Sequence, residues 1–240
     1  MKRHSFSVPM LLLAALVALT AWDATGLDLP MARWFGGPDG FPLRNAWILT
    51  AGFHTGGFIV SWAVVSWLCI GVWFPSGPLV RLATFERLQL AITPLLVVLT
   101  ITLLKAFTVT SCPWHLTDFG GVARLVSHWA STPGGDGGPG HCFPAGHASA
   151  GFAFVGGYFV FRDRAPRIAW LWLLASLLAG FTLGSAQQIR GAHFMSHTLW
   201  TAWICALVSW LCALAADSWR AAATSRRAVA IGGGSPSLLD

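Results

Sequence analysis

The sequence predicts an all-α integral membrane protein, a bundle of six transmembrane helices with an active site at its outer face. Hydrophobic side chains make up 55% of its 240 residues, only 10% are charged, and the mean hydropathy is +0.63. So little charge does not solvate a soluble domain of this length. Two short polar segments interrupt the apolar sequence, CFPAGH and QQIRGAHFMSH, and costly polar groups in such a setting indicate a functional site.

Six apolar runs approach the roughly 20 residues that a helix needs to cross the hydrocarbon core. They lie near residues 8–26, 56–75, 88–107, 147–163, 167–186 and 197–217. Residues 1–218 therefore form one membrane domain, and residues 219–240 are expected to be a disordered cytoplasmic tail. The first run follows MKRH as a signal peptide would, but no small-x-small cleavage site follows it, which favours a membrane anchor.

The basic residues indicate how the bundle is oriented. With the N-terminus inside, ten of the fifteen Lys and Arg fall on the inner side: Lys2, Arg3, Arg81, Arg87, Arg162, Arg164, Arg167, Arg220, Arg226 and Arg227. By the positive-inside rule both termini are cytoplasmic, in a bacterial inner membrane, and the active site is periplasmic. We therefore interpret the net charge of +6 mostly as a signal for membrane orientation. No soluble surface interleaves basic and aromatic residues, so nucleic-acid binding is not expected.

Two connecting segments lie on the outer side. Residues 27–44 mix Trp, Phe, Pro and Gly, which is compatible with an amphipathic element in the membrane interface and equally with a plain loop. Residues 131–140, STPGGDGGPG, predict a flexible external loop.

Seven of the eight histidines map to the outer half of the predicted bundle: His54, His115, His128, His141, His147, His193 and His197. The first four occupy loops or helix ends, where a solvated histidine is ordinary, and we interpret them as structural. Arg190, His193 and His197 differ, because their spacings of three and four place them on one stripe of a helix that enters the membrane.

The other polar segment adds groups that attract anions. His147 follows Pro144 and Gly146 at the start of an apolar run, where free backbone N–H groups and the positive helix end favour an anion. Lys105 closes the preceding run and reaches the same outer rim. Two cations, a helix N-terminus and three imidazoles indicate a phosphate site with acid–base and nucleophilic groups.

These residues occur in a known order: Lys105, then CP at Cys112, then PAGH ending at His147, then GAH ending at His193. This order resembles the type 2 phosphatidic acid phosphatase superfamily of membrane phosphatases, over residues 105–197. The family carries three motifs, Lys-x6-Arg-Pro, Pro-Ser-Gly-His and Ser-Arg-x5-His-x3-Asp. Its six-helix bundle also agrees with the number of apolar runs.

The resemblance implies a membrane phosphatase that hydrolyses a lipid phosphate or pyrophosphate without a metal or other cofactor. Lys105 and the backbone N–H of Gly146 are then expected to hold phosphate oxygens. His147 protonates the leaving group, and His193 is the nucleophile that becomes phosphohistidine. The implied partners are the bilayer and the lipid substrate, whose phosphate lies at headgroup level.

The departures from the family motifs include Cys112 and Gln187 for arginines, Ala145 for serine, and His197 for aspartate. Two guanidinium groups are therefore missing. Arg190 is expected to restore one of them, because three residues along a helix move a side chain by only about 4.5 Å and Arg is long.

His197 stands where the family has the aspartate that orients the nucleophile. A neutral His197 accepts a hydrogen bond from His193 and fixes its tautomer, although it supplies less negative charge. A degenerate, inactive relative is the alternative.

Cys112 and Cys142 both face the oxidising side, which favours a disulfide that ties the first motif to the second. Two separate free thiols are the alternative. A zinc site is less favoured, because two Cys and scattered His lack a finger-like spacing.

Three other functions use some of the same residues. A lipid phosphotransferase would share the whole site, and a non-catalytic receptor for lipid phosphates would share its pocket. A membrane protein with His-ligated haem or metal is the third. It would need histidines at similar depth near the bilayer core, without the neighbouring charges of Lys105 and Arg190.

Overall fold

The computed structural model describes residues 7–129 and 134–232. Helix accounts for 72% of the structure, and the described residues contain no β-strand. The α-helices, in chain order, are α1 Ser7–Thr25, α2 Asp28–Ala32, α3 Gly57–Ile70, α4 Thr84–Phe107, α5 Gly146–Phe152, α6 Gly157–Phe161, α7 Pro166–Ile189 and α8 Met195–Gly232. The all-α fold class is therefore confirmed.

Five helical segments of the described chain are long and apolar enough to cross a membrane. They are Val8–Thr25, Ile48–Ile70, Thr84–Phe107, Pro166–Ile189 and Met195–Arg226. This is compatible with an integral membrane protein. The predicted run at 147–163 is instead divided into α5, a 3₁₀ turn at Ala153–Gly156 and α6, so the count of six spans is not confirmed.

Three other boundaries differ from those expected. The second span begins at Ile48 instead of residue 56, because a π-helix over Ile48–Gly56 leads into α3. Within 27–44, only the five residues of α2 are helical before a series of turns. The tail expected to be disordered from residue 219 is helical as far as Gly232, since alanine and arginine there are strong helix formers. Residues 233–240 lie outside the described part of the chain, as do 131–133 of the expected external loop.

Close packing of α5 against α7 fixes the outer end of the broken segment. A side chain at Gly151 would overlap the backbone of Gly180, and one at Gly180 would overlap the ring of Phe152. Small residues let two helix backbones approach closely, which is how packing is gained where water provides no driving force between helices. His147, one turn before Gly151, is thereby held beside α7.

A charged cluster closes the opposite end of the bundle. Glu86 is 7% exposed, and its carboxylate accepts hydrogen bonds from the backbone N–H of Ala83 at 2.8 Å and from Nε of Arg164 at 2.8 Å. Nη1 of Arg220 lies 3.5 Å from Oε1 of Glu86. The first turn of α4, the α6–α7 turn and α8 are joined there, at the end that the sequence assigns to the cytoplasm.

The N-terminal helix α1 packs along α8. Nε1 of Trp203 donates to the carbonyl of Leu12 at 2.9 Å, and Nε1 of Trp200 donates to Asp23 at 2.9 Å. Two indoles of α8 therefore hold α1 at two different depths.

The outer connection between α4 and α5 is held by a disulfide and a buried carboxylate. Cys112 and Cys142 are bonded, across a sequence separation of 30. Asp136, 1% exposed, accepts hydrogen bonds from the backbone N–H of Ser111 at 2.6 Å and its hydroxyl at 2.8 Å, and from the N–H of Gly138 at 3.0 Å. Burial opposes the charge on Asp136, but these hydrogen bonds outweigh it and lower the pKa of the carboxyl.

We expect non-reducing mass mapping to recover Cys112 joined to Cys142, and reduction to lower the unfolding temperature of the purified protein. Closing a loop of this length stabilises by about 3.5 kcal/mol in the chain-entropy model. The matched control is Cys212→Ser, at a free cysteine of α8, which should unfold at the wild-type temperature and respond equally to reductant. Alkylation of both outer cysteines without prior reduction would contradict the disulfide.

Candidate active site

The outer ends of three chain segments bring Lys105, Gly146, His147 and His193 together. Lys105 lies in the last turn of α4, and its Nζ is 3.8 Å from the place where a Cβ on Gly146 would stand. His147 follows in the first turn of α5, and its ring centroid is 6.2 Å from that of His193. An ammonium, a glycine backbone and two imidazoles therefore border one space.

The arrangement of Arg190, His193 and His197 corrects the expected single helical stripe. Helix α7 ends at Ile189 and α8 begins at Met195, because Gly191 adopts a positive φ of 76° that turns the chain. Arg190 caps α7, His193 lies in the turn, and only His197 is in the first turn of α8. The turn brings the side chains together from two helices instead of one.

His193 and His197 form a buried pair. Each is 2% exposed, and their Nδ1 atoms are 3.5 Å apart. A neutral imidazole has one N–H donor and one acceptor nitrogen, so one of these two Nδ1 atoms must carry the proton if they share a hydrogen bond. A proton on Nδ1 of His193 leaves the lone pair of its Nε2 free for attack.

The surroundings of His193 favour its neutral form. Burial, followed by the neighbouring His197, Lys105 and His147, lowers its pKa well below the usual value. Because only the neutral imidazole is nucleophilic, this ring stays competent at pH 7 and loses activity only under more acidic conditions.

Arg190 is held at the rim of the site by Gln187, one of the residues that depart from the motif. Nη1 of Arg190 donates to Oε1 of the buried Gln187 at 3.1 Å, and its Nε donates to the carbonyl of Arg44 at 2.9 Å. The positive charges of Arg190 and Lys105 both reach His147. Gln187 thus orients the guanidinium of Arg190. The family motif has an arginine of its own at position 187.

His54 belongs to this cluster, although its position in the sequence indicated a structural role. The π-helix before α3 places its ring centroid 4.2 Å from that of His147. No spacing relates the two residues, which are far apart in the chain. The one signal available was a histidine adjoining an apolar run.

A third cation, Arg44, which the sequence analysis did not select, lies at the rim. The Arg44 guanidinium is 4.4 Å from the Trp114 ring centroid, and that of Arg190 is 5.8 Å from the same ring.

His128 also approaches the buried pair, with its ring centroid 5.6 Å from that of His197. The exposed His141 stays in the outer loop.

The buried pair also lies beside the disulfide. Ligand atoms of Cys142, His193 and His197 lie within 4.8 Å of one another, a spacing that suits a metal ion. Cys142 is bonded to Cys112, however, so it offers no thiolate. Two imidazoles then remain, fewer than the three protein ligands of a catalytic zinc site, and this donor set does not fit a resident metal.

A family model described as PAP2 superfamily matches residues 87–220, just over half of the chain, and includes every motif position from Lys105 to His197. Comparisons with curated proteins and with solved structures found no significant match. The family match indicates a phosphatase or phosphoryl-transfer activity. The chain belongs to the PAP2 superfamily, the type 2 phosphatidic acid phosphatases.

Proposed function

We propose that this protein hydrolyses a lipid phosphate or pyrophosphate at the outer face of a bacterial inner membrane, without a metal, through a phosphohistidine at His193. The observation that carries the proposal is the convergence of Lys105, Gly146, His147 and His193 around one space. The phosphatase class follows from the family.

In the first step, Nε2 of neutral His193 attacks phosphorus as the bond to the leaving oxygen breaks. His147 enters this step as the imidazolium, which the negative charge of a bound phosphate favours; without that charge, burial and the neighbouring His54, Lys105 and Arg190 lower the pKa of His147 to about 4. It gives its proton to the leaving oxygen, which departs as an alcohol or, from a pyrophosphate, as a lipid monophosphate. In the second step a water molecule attacks the phosphohistidine and His147 takes its proton. Inorganic phosphate leaves, and both imidazoles return to their starting states.

The cations stabilise charge on the transferring group. Lys105 and Arg190 both lie near His147, on the side from which the phosphoryl oxygens would be held. Positive groups fixed in advance around the equatorial oxygens are the main contribution a protein makes to phosphoryl transfer. His54, in contact with His147, is placed to orient the proton donor.

An apolar groove supports a lipid substrate. It has a volume of about 780 Å³, and α3, α5 and α7 form its walls. Two of the groove residues adjoin the site, since Gly57 is three residues after His54 and Ala150 is three residues after His147. Farther along, the groove is lined by Val64, Trp67, Phe154, Leu171 and Trp172. A hydrocarbon chain in this groove would place its phosphate at the histidines.

The proposed orientation rests on charge. The buried Glu86 cluster with Arg164 and Arg220 lies at the end of the bundle opposite His193, and the inner segments hold most of the Lys and Arg. Positive residues are retained on the cytoplasmic side, which supports cytoplasmic termini and a periplasmic active site.

We expect His193→Ala to lower the turnover of lipid phosphates by several orders of magnitude, because it removes the nucleophile and little packing volume. The assay follows phosphate and phospholipid products from purified protein in detergent with EDTA, so that transfer to a second lipid is detected as well. Arg81→Ala, at an exposed residue of the connection between α3 and α4, is the control and should keep wild-type activity. Wild-type turnover in His193→Ala would disprove the proposed mechanism.

Arg190→Ala should weaken inhibition by vanadate, a mimic of pentacoordinate phosphorus, by about 10- to 100-fold, the usual value of a charge-assisted hydrogen bond. Arg33→Ala is the matched control, since Arg33 is an exposed outer arginine paired with Asp118. Equal vanadate inhibition of Arg190→Ala and wild type would show that Arg190 does not replace a missing motif arginine.

Filling the groove should affect lipid substrates selectively. Ala179→Trp, in the groove wall on α7, should raise KM for a long-chain lipid phosphate while leaving hydrolysis of p-nitrophenyl phosphate unchanged. Leu174→Trp is the control, because Leu174 is an exposed residue of α7 that does not line the groove. Equal kinetics of Ala179→Trp and wild type toward the lipid would argue against the groove as the tail site.

A further inference from the structure

Helix α1 and the first residue of α2 bring two carboxylates to the N-terminal end of α8. Oδ2 of Asp23 accepts a hydrogen bond from Nε1 of Trp200 at 2.9 Å. Oδ1 of Asp28 accepts from the backbone N–H of Ser196 at 3.0 Å, and the Ser196 hydroxyl donates to Asp28 as well. Both aspartates precede the residues that match the family model, so the family motifs do not include them.

His128 lies between Asp23 and the buried histidine pair. Its Nε2 is 3.3 Å from Oδ2 of Asp23, without the alignment of a full hydrogen bond. Its ring stacks on Phe143 at 4.3 Å and stands at 86° to the ring of His197, with 5.6 Å between centroids. The side chains are thus ordered Asp23, His128, His197, His193.

The tautomer of His197 explains why a carboxylate is needed here. If Nδ1 of His197 accepts from His193, the His197 proton must be on Nε2 and requires an acceptor of its own. His197, His128 and Asp23 all line a cavity of about 330 Å³. Oδ1 of Asp23 is buried and has no hydrogen-bond partner in the described residues. The cavity is large enough for a water molecule, and these polar side chains on its wall could be bridged by one.

We propose that Asp23 and His128 are positioning residues that orient His197 and supply the negative charge that a histidine at position 197 lacks. This inference rests on the proposed role of His193 as the nucleophile. When Nε2 of His193 bonds to phosphorus, its ring acquires positive charge, which the hydrogen bond to His197 shares. A carboxylate behind that pair stabilises the charged state, as an acidic residue does behind a catalytic histidine.

Several other charged or titratable groups surround the pair His193 and His197, and each affects the pH dependence of activity. They are Lys105 from α4, His147 from α5, Asp28 from α2, and Arg124 and Asp136 from the connection between α4 and α5. Burial lowers the pKa of His128, against the opposing effects of Asp23 and Asp28, so His128 is neutral at pH 7. Asp23 therefore contributes negative charge that its neighbour does not cancel.

The test is a pH–rate profile of Asp23→Asn and of His128→Gln, each in the wild-type and in the His197→Asp background. Asn keeps an oxygen for the indoles of Trp129 and Trp200, while it removes the charge and replaces the other acceptor oxygen with an NH2 donor. In the wild-type background, we expect Asp23→Asn to lower kcat by about tenfold, typical of a second carboxylate behind a histidine, with little change in KM. His128→Gln should lower kcat in the same way, by losing the ring that packs against His197.

The acid limb of the pH–rate profile is the decisive readout, because a purely structural role of Asp23 would not move it. Without the charge of Asp23, protonation of the histidine pair becomes harder, so the limb should move to lower pH even as the plateau falls. Asp23→Glu, which keeps the charge, should keep the limb in place. In the His197→Asp background, the new carboxylate is itself adjacent to His193. Asp23→Asn should then lower kcat by less than twofold.

Trp203→Phe is the matched control. It removes another hydrogen bond between α1 and α8, the one to the carbonyl of Leu12, without touching the histidines. Any loss should be equal in both backgrounds, without a shift of the limb. The proposal is overturned if Asp23→Asn leaves the limb unmoved, if its cost is equal in both backgrounds, or if His197→Asp is inactive. Activity in His193→Ala would instead reject the proposed function itself.

Discussion

The proposed chemistry depends on two imidazoles that are buried side by side, with their Nδ1 atoms close enough to share one proton. His193 and His197 are each 2% exposed and 3.5 Å apart at Nδ1, in a setting where charging either ring is costly. Burial keeps His193 neutral and therefore nucleophilic. The turn at Gly191 makes the pair possible, since it ends α7 and lets α8 begin with His197 beside His193. The Cys112–Cys142 bond covers the pair, so the disulfide is part of the site and not only a clamp on the loops.

The rest of the bundle separates three environments along its length. The proposed phosphoryl transfer takes place at the end that holds the histidines, with Lys105 and Arg190 at its rim. An apolar groove between α3, α5 and α7 occupies the middle, and the Glu86 cluster closes the inner end. An amphiphile matches that order, with its phosphate among the histidines and its tail along the groove. The close crossing at Gly151 and Gly180 holds the α5 wall of the groove and the α5 catalytic residue in one piece.

Much of this arrangement follows from local sequence. Apolar length predicted five of the spans, and motif order predicted that Lys105, His147 and His193 would meet. The sixth run was broken by a 3₁₀ turn that hydropathy does not detect, and the tail proved helical because its composition favours helix more than its polarity opposes it. His54, His128 and Asp23 were not predicted as site residues, because they reach it through tertiary packing from segments with no motif. Arg190 lies near the predicted groups, but at the C-terminal end of α7 and not on the helix that carries His197.

The most direct test of the central claim is to trap the covalent intermediate. Protein mixed with a labelled lipid phosphate and quenched with alkali during the first turnover should retain label in an acid-labile, alkali-stable form, and peptide mapping should place it on His193. Label should appear before free phosphate and decay as phosphate is released. Full first-turnover release with no label on the protein at any time, or label on a different residue, would contradict the mechanism.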